Sequence, residues 1–196
     1  MPLNLPNLLT WLRIVLIPVF VGIFYFPEIW VSLPDQNLIA TVIFAVAAIT
    51  DWFDGYLART LNQTSAFGAF LDPVADKLMV AAALLVLLKL GRVHELVVLI
   101  IIGREITVSA LREWMAKIGG SKSVAVSLLG KVKTAAQMIS IPMLLYYDNI
   151  GDFDPQFTGT WLISIAAFLT ILSMMYYVKA SIPHLLKNPS GDGEAS

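Results

Sequence analysis

The chain has 196 residues, of which 58% are hydrophobic and 14% charged, with a formal net charge of −1. Soluble domains carry about 25% charged residues, so this balance reads as a membrane protein, and the near-neutral charge excludes nucleic-acid binding through a bulk basic surface. Cysteine is absent, which excludes disulfides and thiolate metal sites.

In chain order, six apolar segments approach the ~20 residues that cross a bilayer. They cover residues 8–26, 38–58, 67–89, 93–115, 124–147 and 157–179. Residues 1–7 carry no basic side chain ahead of the first segment, and no small-residue cleavage pattern follows it, so a removed signal peptide is not expected. Pro27 and Pro34 bracket the first turn, Gly91 marks the third, Gly119, Gly120 and Ser121 the fourth, and the polar stretch from Asp148 to Pro155 the fifth. Pro18, Pro73 and Pro142 fall inside spans, where neighbouring helices can re-satisfy the freed carbonyls.

Orientation follows from the basic residues. Arg13, Arg59, Lys77, Arg104, Arg112, Lys117, Lys122, Lys131, Lys133, Lys179 and Lys187 fall on one side, eleven of the thirteen. Only Lys89 and Arg92 fall on the other, with Glu28, Asp35, Asp148, Asp152 and Asp154. The expected fold is therefore an all-α polytopic membrane domain over residues 1–188, with six transmembrane helices and both termini cytoplasmic. Residues 189–196 read as a disordered cytoplasmic tail.

The chemistry is concentrated between Thr50 and Lys77. Asp51 and Asp54 end the second span, followed by Gly55, Ala58 and Arg59, and these positions share one broad helix face. Gly68, Asp72 and Asp76 recur every four residues and form a stripe on the next helix. Ionisable groups at membrane depth cost about 3 kcal/mol or more each. A lone Asp could snorkel to the interface, but four at these spacings repel one another unless a cation joins them. Oxygen-only donors suit hard Mg²⁺ or Mn²⁺, and two such ions would offset all four charges. Gly55, Ala58 and Gly68 leave room for a nucleotide diphosphate, or for close helix packing.

The pattern D-x₂-D-G-x₂-A-R-x₈-G-x₃-D-x₃-D, met at Asp51, Asp54, Gly55, Ala58, Arg59, Gly68, Asp72 and Asp76, resembles the signature of the CDP-alcohol phosphotransferases. The resemblance implies a six-helix membrane homodimer with a two-metal site near the cytosolic face. It implies that Asp51, Asp54 and Asp72 ligate one metal, and Asp51, Asp72 and Asp76 the second. It makes Asp76 the base for the acceptor hydroxyl, and gives the CDP pocket to Gly55, Arg59 and Gly68 beside Asp51 and Asp54. His94 and His184 fall away from this region, which leaves the proton chemistry to carboxylates.

Further basic residues bear on the acceptor. Arg104 lies inside an apolar run and needs a partner or an anionic ligand. Arg112 follows about 80° around the same helix, so both can face one cavity. Lys131 and Lys133 point about 160° apart, so one faces the cavity and the other can meet lipid headgroups. These four are candidates to bind the phosphate of the acceptor, with Arg suited to bidentate contact. Positive charge at cytoplasmic helix ends, and ion pairs with Glu105 or Glu113, are the structural alternatives. Asn7, Thr10 and Arg13 can share part of a face, either to touch donor or lipid headgroups or to cap and anchor the first helix.

The segments around Arg104 to Trp114, Gly130 to Thr134 and Asn7 to Arg13 resemble bacterial phosphatidylglycerophosphate synthases, a branch of the same family. That resemblance implies transfer from CDP-diacylglycerol to sn-glycerol 3-phosphate in the inner membrane, with the active site facing the cytoplasm. Another acceptor, inositol phosphate or serine, and a metal-ion transporter are the alternatives.

Overall fold

A computed structural model describes residues 5–61, 66–117 and 128–187. Within them, the side chains of 5–7, 52, 54–61, 66–70, 112, 115–117, 128–129, 131 and 176–187 lie outside the description. The described residues form six helices: α1 (Leu5–Ile23), α2 (Leu33–Leu61), α3 (Ala66–Lys89), α4 (Glu95–Lys117), α5 (Leu128–Tyr146) and α6 (Pro155–Lys187). Each overlaps one of the six apolar segments. Among the described residues the only β feature is an isolated bridge between Ile150 and Phe153 in the last turn.

Local chemistry sets the helix ends. Ser32 precedes α2: its hydroxyl bonds the Asp35 carboxylate at 2.5 Å, and its carbonyl accepts from Gln36 N at 2.9 Å. Asp154 caps α6, its Oδ1 accepting from Phe157 N at 2.9 Å, and Pro155 fills the first helical position. At the end of α3, Gly91 has φ +69°, with bonds from Gly91 N to Leu88 O and from Arg92 N to Leu87 O. That pairing is the Schellman termination, and it needs the left-handed residue that glycine supplies without strain.

The described part of the bundle is apolar outside and encloses buried polar side chains. Leu99, Phe168, Val15 and Leu85 are exposed, whereas Arg13, Lys133, Thr10 and Ser140 are almost wholly buried. An apolar exterior suits hydrocarbon, not water. Among the described residues, two helices are long and apolar enough to cross a membrane, over Leu33–Asp51 and Pro155–Met175. Phe20, Phe44, Leu84, Leu87, Ile141, Leu144 and Ile163 build one continuous core from five of the six helices, and Ile101 of α4 completes it. α5 and α6 pack closely where Gly159 meets Leu144: a β-carbon at Gly159 would lie 2.9 Å from Leu144 Cγ and 3.2 Å from Met143 Cβ.

Arg92 ties the end where α3, α5 and the start of α2 meet. Its Nη1 donates to Leu144 O at 3.0 Å and Leu145 O at 2.8 Å, its Nη2 donates to Asn37 Oδ1 at 2.9 Å, and its guanidinium lies 4.2 Å from the Tyr147 ring centre. These bonds satisfy carbonyls that a helix end leaves open. Burial lowers the Arg92 proton affinity below the ordinary guanidinium value, and Tyr147 and Asp148 oppose the shift. Arg92→Ala is expected to destabilise the fold by about 2–4 kcal/mol through three lost charge-assisted bonds. A thermal unfolding series in detergent checks this; an unchanged midpoint would refute it.

Candidate functional site

A polar cavity lies at the opposite end of the bundle from Arg92. There the first half of α1, the C-terminal part of α2, α3 near Asp72 and Asp76, the middle of α4 and the first half of α5 come together. α2, α3, α4 and α5 surround a cavity of about 320 Å³. α2 contributes Asp51, α3 contributes Asp76 and Lys77, α4 contributes Arg104 and Glu105, and α5 contributes Gly130, Lys133, Thr134 and Gln137. Val80 and Met138 form its apolar part.

Helical spacing explains this convergence. Asp72 and Asp76 lie one turn apart on α3, and Lys133 and Gln137 one turn apart on α5, so each pair shares a face. Alternating helix directions then bring the N-terminal parts of α3 and α5 beside the C-terminal parts of α2 and α4.

α1 supports the carboxylates from behind. Arg13 Nη1 donates to Asp51 Oδ1 at 2.6 Å, with the Arg13 side chain 1% exposed and that of Asp51 38% exposed. The Thr10 hydroxyl donates to Asp72 Oδ1. Thr10 and Arg13 are three residues apart, so one face of α1 holds two carboxylates on two other helices. Sequence spacing left these residues between headgroup contact and helix capping; in the structure they orient Asp51 and Asp72.

The basic side is organised by Glu105. Its Oε1 accepts from Arg104 Nη1 at 3.0 Å and from Lys133 Nζ at 2.6 Å. One carboxylate thus neutralises part of two cations, and Lys133 is only 2% exposed. Of Lys131 and Lys133, Lys133 faces the cavity; the Lys131 side chain lies outside the described residues. Lys77 Nζ donates to Ser109 Oγ, which joins α3 to α4 at the rim. The side chains of Asn7, Asp54, Arg59 and Arg112 also lie outside the described residues, as do the surroundings of Gly55 and Gly68.

The donor set suits a hard cation, because Asp51, Asp72 and Asp76 offer carboxylate oxygens only, and two of them face one cavity. Among the described residues no group of three acidic side chains is close enough to hold an ion; the expected set includes Asp54, which lies outside them. A second, apolar groove of about 330 Å³ runs between α3 and α4 past Val74, Leu78, Ile101 and Ile106, and it shares Lys77, Val80 and Glu105 with the polar cavity.

Two residues escaped the sequence reading of the site. Glu105 was visible as an ion-pair option, but its double partnership depends on α5 approaching α4. Gln137 carried one signal, its position a turn beyond Lys133.

A helical bundle with an apolar exterior, an acidic-and-basic cavity at one end and an apolar groove beside it can handle an anionic headgroup attached to a lipid body. The chain belongs to the CDP-alcohol phosphatidyltransferase family, whose model matches residues 3–172. It is similar to the CDP-diacylglycerol–glycerol-3-phosphate 3-phosphatidyltransferase of Salmonella paratyphi A, 47% identical over 190 residues, which are 95% of this chain and 99% of the relative. The proteins of the same name from Escherichia coli and Shigella flexneri are each 48% identical over 190 residues, with the same coverage.

Proposed function

We propose that this chain transfers the phosphatidyl group of CDP-diacylglycerol to sn-glycerol 3-phosphate, giving phosphatidylglycerol phosphate and CMP. The observation that carries this reading is the single cavity in which Asp51 and Asp76 stand opposite Arg104 and Lys133. Carboxylates suit the activation of an alcohol, and buried cations suit an acceptor that is itself a phosphate. The apolar groove that opens beside the cavity supports an amphiphilic donor. The relatives 47–48% identical to this chain are named for the two substrates, CDP-diacylglycerol and glycerol 3-phosphate.

Asp51, Asp54, Asp72 and Asp76 would hold two divalent ions, Mg²⁺ or Mn²⁺, which when bound neutralise charge on the transferring phosphoryl group and the leaving nucleotide. Arg13 and Thr10 fix the Asp51 and Asp72 carboxylates from α1. Gly55, Arg59 and Gly68, with Asp51 and Asp54, receive the CDP moiety. Arg104 and Lys133 bind the acceptor phosphate, with Arg112 and Lys131 as its further basic neighbours. Asp76 accepts the proton of the acceptor's primary hydroxyl. That oxygen bonds to the phosphatidyl phosphorus while the bond to the bridging oxygen breaks, and CMP leaves with that oxygen.

The same reading sets the surroundings: a homodimer in a bacterial inner membrane, six spans, both termini and the site on the cytoplasmic side. The orientation is supported by the segregation of eleven of thirteen basic residues to one side of the six segments. Purified protein given CDP-diacylglycerol and a panel of glycerol 3-phosphate, serine and inositol phosphate is expected to release CMP only with glycerol 3-phosphate. Chelation should abolish release, and added Mg²⁺ or Mn²⁺ should restore it. Faster release with serine or inositol phosphate would overturn the acceptor. Ion flux into liposomes without any lipid donor would overturn the transferase reading in favour of a transporter.

A further inference from the structure

Gln137 is 5% exposed and lines the cavity with Asp76, Arg104 and Lys133. Its Oε1 is buried and has no hydrogen-bond partner among the described residues. A buried amide oxygen left unmatched is costly, so a group that pairs with it when bound gains more than an ordinary hydrogen bond. The proposed transfer makes no use of this side chain. Arg104 and Lys133 take the acceptor phosphate, and Asp76 takes the proton of the primary hydroxyl. Glycerol 3-phosphate has one polar group left, the secondary hydroxyl at its second carbon.

We infer that Gln137 recognises this secondary hydroxyl and thereby selects a phosphorylated 1,2-diol as acceptor, an inference that rests on the transfer reading above. Three features support it. Gln137 stands one helical turn from the phosphate-binding Lys133 on the same face of α5, a spacing of about 6 Å that a three-carbon acceptor can bridge. Its buried Oε1 takes no bond from the polar side chains that line the same cavity. A hydroxyl both donates and accepts, so it complements either end of the carboxamide. An acceptor without that hydroxyl leaves Gln137 unmatched, which is the situation in which a polar site rejects an analogue most strongly.

The test uses the purified full chain with CDP-diacylglycerol in mixed micelles and reads kcat/KM from CMP release. Glycerol 3-phosphate is compared with 3-hydroxypropyl phosphate, which lacks only the second-carbon hydroxyl. The wild type is expected to prefer glycerol 3-phosphate about 10- to 100-fold, and Gln137→Met, similar in volume, to reduce that preference below about threefold. Gln137→Asn withdraws the carboxamide by one methylene and is expected to lose the preference as well, so the proposal stays testable if the Met variant does not accumulate. A purely structural role lowers kcat/KM for both acceptors alike; an undiminished preference in the variants, or none in the wild type, overturns the proposal. Failure of the transfer reading looks different: the wild type then releases no CMP with either acceptor.

Discussion

Asp76→Asn is expected to lower CMP release about 10²- to 10⁴-fold, the range that a positioned general base contributes. The substitution keeps the shape of the side chain and removes the charge that the proposed roles as base and metal ligand require. Asp76 lines the cavity together with Asp51 of α2 and Lys133 of α5. The core of α3 beside it does not depend on this carboxylate: Ala75, Met79 and Ala83 are buried on their own account. The variant should therefore insert and unfold near the wild-type midpoint. Near-normal CMP release from well-inserted Asp76→Asn would remove Asp76 from the reaction.

The second large effect is one of stability. Glu105→Ala leaves Lys133 and Arg104 buried without the carboxylate that pairs them, and breaking a buried ion pair from one side costs about 3–5 kcal/mol. Thermal unfolding in detergent should show this drop. Adding Lys133→Met should recover part of it, because the buried charge that Glu105 compensated is then gone and the two substitutions are coupled. Inorganic phosphate or glycerol 3-phosphate should stabilise Glu105→Ala more than the wild type, since the anion takes the place of the carboxylate. Strictly additive effects of the two substitutions would mean that Glu105 and Lys133 do not act as a pair.

Both experiments concern residues whose importance was unequally legible. Asp76 announced itself through its four-residue register with Asp72 and Gly68, because helical periodicity is written directly into spacing. The six helices were legible for a similar reason. Apolar run length tracks the span needed to cross a bilayer, and each predicted segment coincides with one helix. The ends were less so. α1 stops at Ile23, three residues short of its apolar run, and α6 continues to Lys187, past its apolar run. Hydropathy reports where a chain can sit in lipid, whereas a helix continues as long as its backbone bonds are satisfied.

The four aspartates were thus set by the sequence alone: their spacing placed them on two successive helix faces at the more basic side of the chain. What tertiary structure decided was which other residues belong with them. Arg13 reaches Asp51 across 38 positions, and Thr10 reaches Asp72 across 62. No local period encodes pairings at such separations; they exist because α1 packs against both α2 and α3. The choice between Lys131 and Lys133 was equally undetermined by periodicity, which separates the two side chains but does not say which side meets the cavity. Packing of α5 against α2 and α6 turns Lys133 inward, onto Glu105. Spacing along a helix fixes angles about one axis, and only the contact between axes converts those angles into a site.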